Sequence, residues 1–232
     1  MSADLDFALS LADAADAISL PRFGASDLRV ERKPDLSPVT DADRAIEEKL
    51  RALAAERGEG LFGEEFGGPA DGVRWIVDPI DGTKNFVRGI PIWATLIALE
   101  RDGELVCGVV SAPALRRRWW AARGEGAWAN GAPIRVSAVA RLEDAAVSVA
   151  LAADLAAVEN VAWHARGLGD FWQHVLVAEG ALDAAIDYPL KLWDYAALVP
   201  IVEEAGGRTG FTAGGKFVSA NGDELLARLA AE

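Results

Sequence analysis

Residues 73–86 of the 232-residue chain read VRWIVDPIDGTKNF. The apolar run VRWIV predicts a buried strand, and it leads directly into two carboxylates, Asp78 and Asp81. The proline between them fixes φ and has no N–H, so we expect the main chain to turn sharply after Asp78. Gly82 allows close approach of a ligand to the backbone, and the free amides of Gly82 and Thr83 at a helix start favour an anion. One short segment therefore combines cation ligands with a phosphate cradle.

Further carboxylates fall where predicted elements begin or end, rather than on the outer faces of helices. Carboxylates that converge repel one another and raise each other's pKa unless a cation with a preference for oxygen lies among them. The chain has one cysteine and two histidines, so its composition does not favour the usual zinc sites. Mg²⁺ fits the donor set better. These additional acids are Asp41, Glu64, Glu65 and Asp194.

Composition limits the class of protein. Hydrophobic residues make up 51% of the chain, yet no uninterrupted apolar run reaches the roughly 20 residues needed to span a bilayer. The N-terminus is acidic and helix-patterned, unlike a secretory signal. The single cysteine, Cys107, lies in the apolar segment LVCGVV, where a core position is expected. We therefore predict a cytoplasmic protein with no membrane partner.

The formal net charge of −13 disfavours nucleic acid and anionic membranes as partners. The same charge would repel a phosphate ester. Bound metal removes this conflict, because it places positive charge where the anionic substrate must lie.

The order of patterns along the chain predicts two lobes. Residues 93–129 alternate as successive strands of an antiparallel meander. Beyond a boundary near residue 135, strands and helices alternate in α/β fashion, with one helix predicted over residues 193–205 despite Pro200 within it.

Three strings resemble motifs of the inositol monophosphatase family: GEE at 63–65, DPIDGTKNF at 78–86 and WDYAALVPIVEEAGG at 193–207. Their order and spacing are also similar. More narrowly, KPDLSPVTDADRAIE and SAPALRRRWWAARGEGAWANG look like the bacterial, actinobacterial-type histidinol-phosphate phosphatases of that family. The resemblance covers nearly the whole chain. It implies one α/β domain over residues 1–232, a layered αβαβα sandwich with lobes of about 1–135 and 136–232 and the site between them.

The resemblance also implies roles for individual residues. The metal ligands would be Glu64, Asp78, the Ile80 carbonyl, Asp81 and Asp194, which together hold two or three Mg²⁺ ions. Asp41 and Thr83 would orient the attacking water with Glu64, and the amides of Gly82 and Thr83 would bind the phosphoryl group. No phosphoenzyme is needed. Glu65 is expected outside the direct ligand set.

For the substrate, the resemblance assigns Arg166, Asp170 and Asp187 to the part of the pocket that binds the non-phosphate half. Two acids there suit a cationic amino alcohol, so L-histidinol phosphate is favoured over inositol phosphate. Asp187 stands where similar proteins usually have Glu, and the 150–165 segment looks shorter than in them. The resemblance also implies a homodimer.

Other functions remain open at this level. The same chemistry on inositol 1-phosphate, or on a sugar or nucleotide phosphate, is the first alternative. A catalytically silent regulator that binds metal or a phosphorylated ligand is the second, although the intact carboxylates argue against it. A serine or cysteine nucleophile is weaker still, because the chain has no G-x-S-x-G elbow. His164 and His174 are predicted to be packing or surface residues, and Arg116–Arg118 to form a solvated turn.

Overall fold

The structure is a computed structural model that describes residues 2–187 and 190–230. Its helices are α1 (Ala3–Arg22), α2 (Asp41–Glu56), α3 (Thr83–Arg88), α4 (Ala152–Val158), α5 (Asp170–Ala178), α6 (Leu192–Tyr195), α7 (Leu198–Glu204) and α8 (Asp223–Ala230). The first strands are β1 (Val30–Arg32), β2 (Pro38–Thr40), β3 (Gly60–Gly63), β4 (Arg74–Asp81), β5 (Ala94–Arg101), β6 (Glu104–Ala112) and β7 (Arg117–Ala122). The remaining strands are β8 (Ala127–Ala129), β9 (Ala132–Pro133), β10 (Ala146–Val149), β11 (His164–Arg166), β12 (Ala184–Asp187), β13 (Arg208–Phe211) and β14 (Phe217–Ala220).

Strands β3 to β9 form a seven-stranded sheet in sequence order, within the part of the chain that is described. β3 and β4 are parallel, and every later pair is antiparallel. Because side chains alternate between faces, Trp75 and Val77 of β4 pack with α1 and α2, whereas Ile76 packs with the helices on the other face. The short hairpin of β1 and β2 lies outside this sheet.

The second sheet has five described strands in the order β11-β10-β12-β14-β13. β10 pairs in parallel with β11 and β12, and β14 pairs antiparallel with β12 and β13. The outer face of this sheet packs against α8 through Leu225 and Leu229.

The elements stack in five layers. Helices α1 and α2 cover one face of the seven-stranded sheet, α5 to α7 fill the space between the two sheets, and α4 and α8 cover the five-stranded sheet. The predicted αβαβα sandwich is therefore confirmed. Cys107 is buried in the core beside α1, and burial raises the pKa of its thiol to about 12, which suits a packing role.

The helix predicted over residues 193–205 is instead two helices, α6 and α7, interrupted at Ala196 and Ala197. Pro200 has no N–H for the carbonyl of Ala196, and its ring crowds that carbonyl, so the break falls one turn before the proline. Gly108 of β6 accommodates the break, since a Cβ there would lie 2.2 Å from the Ala197 carbonyl oxygen. The break directly follows α6, whose first turn carries Asp194.

The strands of the seven-stranded sheet end at Pro133, and those of the five-stranded sheet begin at Ala146. The cluster between the sheets contains residues from both parts of the chain, so the lobes share a core. None of the helices in the described ranges is long and apolar enough to cross a membrane.

Candidate active site

The segment after the central strand β4 is held in its turn by several polar contacts. Asp78 is buried, and its Oδ1 accepts from the Ile80 N–H at 3.0 Å. The Thr95 hydroxyl donates to the Pro79 carbonyl at 2.8 Å. The Thr83 hydroxyl donates to the Ile80 carbonyl at 2.9 Å, which leaves the second lone pair of that carbonyl for another partner.

Gly82 joins this turn to α3 with a φ of +81°, a conformation that L side chains rarely adopt. A Cβ at this position would lie 3.0 Å from the Ile92 carbonyl and 3.4 Å from Asp170 Oδ2. The glycine therefore supplies both the backbone conformation and the close approach of the opposite lobe. Gly82 and Thr83, whose N–H groups begin the helix, line the cavity described below.

The GEE loop is positioned by a buried acid of α2. Glu47 accepts from the backbone N–H groups of Glu65 at 2.7 Å and of Phe66 at 3.1 Å, and from Arg51 at 2.7 Å. Glu64, one residue earlier, lines the cavity. The Lys33 ammonium of the β1–β2 hairpin binds Glu64 at 2.7 Å and Glu65 at 2.6 Å. Lys33 was not among the residues expected at the site.

Two acids in the first turn of α2, two positions apart, lie in different surroundings. Asp41, the expected water-orienting acid, accepts from Arg22 of α1 at 2.8 Å and is partly exposed. Asp43 is buried, and its Oδ2 accepts from the Thr40 N–H at 2.8 Å in a capping box. Neither lines the cavity. Burial raises the pKa of Asp43 to about 7, with smaller contributions from the charges of Glu65 and Glu64, and the charge of Asp43 in turn adds to burial and to the charges of other acids in raising the pKa of Asp78. Burial therefore distinguishes Asp43 from the partly exposed Asp41, which is paired with Arg22.

Asp194 lies in the first turn of α6, as expected, and its Oδ2 accepts from the Lys191 N–H at 2.6 Å. Burial is the largest cause that raises its pKa to about 7, followed by the repulsion from Glu64, Asp187 and Asp170. This carboxylate thus faces acids from both lobes.

Asp170 and Asp187 come from the second lobe, at the start of α5 and the end of β12. Burial, followed by the charge of Asp187, raises the pKa of Asp170 to about 6. Asn85 of α3 donates to Asp170 Oδ2 at 3.3 Å. Phe171, which follows Asp170 in the chain, donates its N–H to Asp81 Oδ2 at 2.6 Å. Asp170 has a φ of +50°, which is uncommon for a residue with a side chain.

Arg166, the third expected substrate residue, does not join this group. It is exposed on the edge strand β11 and donates to His164 Nε2 at 2.6 Å. It is absent from the lining of the cavity, so the geometry does not support direct contact with a ligand there.

A cavity of about 390 Å³ brings the expected residues together between the lobes. Leu151, Leu190 and Phe171 form part of its apolar wall, and Ser37, Lys84 and His174 were not expected in it. Lined by both lobes, it contains Glu64, Asp78, Ile80, Asp81, Gly82, Thr83, Asp170, Asp187 and Asp194.

The carboxylates of the cavity are buried and repel one another. Burial raises the pKa values of Asp78 and Asp81 well above their ordinary range. After burial, the charges of Glu64 and Asp81 contribute most to raising the pKa of Asp78. The charges of Asp170 and Asp194 do the same for the pKa of Asp81. Buried like charges of this kind are relieved by protonation or by a cation.

The donor set fits a hard divalent cation in kind, because it consists of carboxylate and carbonyl oxygens. In residues 2–187 and 190–230, no three acids, histidines or cysteines already stand as a ligand set. Three of these acids accept from donors of the protein: Glu64 Oε1 from Lys33, Asp81 Oδ2 from the Phe171 N–H and Asp194 Oδ2 from the Lys191 N–H. Each contact leaves the second carboxylate oxygen available to another partner.

Comparison with known proteins gives consistent results. The family model described as "Inositol monophosphatase family" matches residues 1–232. A histidinol-phosphatase of Mycobacterium tuberculosis is 51% identical, and the match covers 97% of each chain. An inositol-1-monophosphatase of Mesorhizobium japonicum is 34% identical over 86% of this chain and 82% of its own. The solved structure of a Thermotoga maritima IMPase superimposes with a TM-score of 0.89 at 31% identity, covering 99% of this chain and 95% of its own.

Proposed function

The chain belongs to the inositol monophosphatase family and is a phosphate-monoester hydrolase, and we propose that its substrate is L-histidinol phosphate. Hydrolysis would release L-histidinol and phosphate, a late step of histidine biosynthesis. One observation carries this choice: two acids of the second lobe, Asp170 and Asp187, face the Asp78–Asp81 turn across a single cavity. The 51% identical relative with the name histidinol-phosphatase supports it.

The cofactor in this proposal is Mg²⁺, with two or three ions. The residues that would hold it are Glu64, Asp78, the Ile80 carbonyl, Asp81 and Asp194, whose oxygens suit a hard cation. When bound, Mg²⁺ would lower the pKa of a water molecule and neutralise negative charge on the phosphoryl group. The supporting observation is the set of raised carboxylate pKa values, since a cation stabilises the ionised forms that burial disfavours.

We assign the orientation of the attacking water to Thr83, Glu64 and Asp43. The Thr83 hydroxyl donates a hydrogen bond to the Ile80 carbonyl, so its oxygen can accept a hydrogen bond from water. Asp43 replaces Asp41 in this role because Asp41 is bound by Arg22. The Oδ1 atoms of Asp43 and of Asp41 both lack a hydrogen-bond partner among the described residues, so a water would satisfy either, and the choice of Asp43 rests on its burial and on the Arg22 ion pair of Asp41.

The phosphoryl group would be bound by the N–H groups of Gly82 and Thr83, where α3 begins. Aligned amides at a helix start stabilise negative charge, and they cost no reorganisation because the glycine turn already holds them in place. Attack by water then displaces the alcohol directly, without a covalent intermediate on the protein.

Asp170 and Asp187 would bind the ammonium group of the substrate. An ammonium placed between them lowers the cost of keeping both ionised, whereas a neutral polyol leaves their repulsion in place. Arg166 has no part in this assignment, since it lies outside the cavity.

The alternative substrate is inositol 1-phosphate, favoured by the 34% identical inositol-1-monophosphatase. A panel of L-histidinol phosphate, inositol 1-phosphate and a sugar phosphate, assayed with Mg²⁺ by phosphate release, decides between them. We expect kcat/KM to be at least about tenfold higher for histidinol phosphate, the effect of one charged hydrogen bond. Equal values across the panel would contradict the substrate assignment, and no turnover of any ester would favour a silent regulator.

Cytoplasmic localisation and a homodimer are also proposed. The buried, isolated thiol of Cys107 suits a reducing compartment. The dimer rests on the resemblance, and light scattering on the purified protein checks it.

A further inference from the structure

A fully buried amide lies directly behind the Asp187 carboxylate. Gln173 of α5 donates from Nε2 to Asp187 Oδ2 at 2.9 Å and to the Ile186 carbonyl at 3.3 Å. Its Oε1 accepts from the Ser148 hydroxyl of β10 at 2.8 Å. This chain of contacts connects the five-stranded sheet, through α5, to the cavity.

The contacts fix which way the amide of Gln173 points. Ser148 Oγ accepts from the Leu168 N–H at 3.3 Å, so its own proton is available to the Gln173 oxygen. The reversed amide would set that oxygen against the Asp187 carboxylate, with two acceptors facing each other in a buried site. The amide therefore presents its donor to Asp187.

The neighbouring His174 does not supply an equivalent contact. Its Nε2 lies 3.7 Å from Asp187 Oδ2, beyond hydrogen-bond distance, and 3.4 Å from Gln173 Nε2, while its Nδ1 pairs with the Ser219 hydroxyl at 2.9 Å. Gln173 is therefore the donor of α5 that holds the carboxylate.

We propose that Gln173 is a positioning residue that holds Asp187 toward the ammonium group of the substrate and so sets the preference for cationic phosphate esters. This inference rests on the proposed function. A neutral amide can fix the carboxylate without cancelling its charge, which a lysine or arginine would do. An aspartate also has one methylene fewer than a glutamate, so its orientation matters more for its reach.

The experiment compares kcat/KM for L-histidinol phosphate with that for glycerol 2-phosphate, an ester without an ammonium group. Gln173→Met keeps the length of the side chain and removes the donor. We expect the ratio of the two kcat/KM values to fall by about tenfold, through KM for histidinol phosphate, the effect of one hydrogen bond to a charged group. The value for glycerol 2-phosphate should stay within about twofold, as for a site not in contact with it.

Asp187→Asn and the double variant complete a mutant cycle. If Gln173 acts through Asp187, Gln173→Met adds nothing to the ratio in the Asp187→Asn background. Additive effects would show a merely structural role and overturn the inference. An unchanged ratio in Gln173→Met, with a lowered ratio in Asp187→Asn, would overturn it as well.

Two further variants keep the test valid if Gln173→Met folds poorly. Ser148→Ala removes the anchor of Gln173 and should lower the ratio in the same direction, by about threefold for a neutral hydrogen bond. Ser219→Ala removes a buried hydrogen bond to the same helix and should leave the ratio unchanged. An effect of Ser219→Ala equal to that of Ser148→Ala would contradict the inference. Lack of wild-type turnover of histidinol phosphate refutes the proposed function instead, and with it the inference.

Discussion

Asp41 and Asp43 share the first turn of α2 but face different surroundings. Asp43 lies on the same buried face of α2 as Ile46, Glu47 and Leu50, whereas Asp41 accepts a hydrogen bond from Arg22. We expect Asp43→Asn to lower kcat by at least about 100-fold, the lower end of what a positioned acid or base contributes. Phosphate release at saturating substrate and Mg²⁺ measures it.

Asp41→Asn is the matched control for that variant. It removes one charge from the same helix turn and breaks a partly exposed ion pair, so kcat should stay within about threefold and stability within about 1 kcal/mol. The opposite pattern, with activity lost only in Asp41→Asn, would restore the assignment made from the resemblance.

Residue type and local order predicted Asp78 and Asp81 of the turn and Glu64 of the GEE loop, which the structure places around one cavity. The choice between Asp41 and Asp43 depends on which side of α2 faces the site. Helical spacing from Ile46 and Glu47 indicates Asp43, and this signal was available in the sequence. Gln173 carried no such signal, because the contacts behind its proposed role come from strands β10 and β12, which are far apart in sequence.

The packing of the α6–α7 break against β6 predicts the effect of one glycine. In Gly108→Ala, the new Cβ would meet the Ala197 carbonyl at 2.2 Å and Pro200 Cγ at 2.8 Å. We expect the free energy of unfolding to fall by about 1–3 kcal/mol, the usual cost of overpacking. Activity should also fall, because α6 carries Asp194. Urea denaturation and phosphate release measure the two effects.

Gly222→Ala provides the control, since a Cβ at that position meets nothing within 4 Å. Its free energy of unfolding should change by less than about 0.5 kcal/mol, as for an ordinary surface change. Equal losses in the two variants would show that the Gly108 contact does not decide stability.

The strands of the first sheet were predictable because apolar alternation and charged turns mark each one. The prediction of a single helix over 193–205 was wrong, although Pro200 indicated a disturbance within it. A proline predicts a disturbed helix, but only the contact with Gly108 shows where the chain breaks.

Across the whole molecule, the buried acids predict how stability depends on pH. The pKa values of Asp43 and Asp194 are raised to about 7, and that of Asp170 to about 6, above the ordinary value of 3.8. The folded state thus binds more protons than the unfolded state between about pH 4 and 7, so stability falls as pH rises through this window. Without divalent cations, Tm should be lower at pH 8 than at pH 5.5 by calorimetry.

Mg²⁺ should reverse this loss. At about 100 times its Kd, a ligand specific to the folded state adds about 2.7 kcal/mol, or roughly 5–10 °C in Tm for a chain of this size. At one fixed Mg²⁺ concentration, the gain should be larger at pH 8 than at pH 5.5, because the ionised carboxylates bind the cation with a lower Kd. An equal gain at both pH values would contradict cation binding at these carboxylates.

The five-layer architecture and the position of the site between the lobes followed from the resemblance, and the layers are confirmed. The alignment with the M. tuberculosis relative spans 253 positions, more than the 232 residues here, so that protein carries residues without a counterpart in this chain. Whether the difference lies in the 150–165 segment stays a prediction.

The most direct test of the central claim is the initial rate of phosphate release from L-histidinol phosphate as a function of Mg²⁺ concentration, for the wild type and Asp81→Asn. The wild type should be inactive in chelator and gain activity with Mg²⁺. Asp81→Asn should fold and yet turn over at least about 100-fold more slowly, as when a group that stabilises transition-state charge is lost. Wild-type activity in chelator, or an equally active Asp81→Asn, would contradict metal-dependent hydrolysis at this carboxylate cluster.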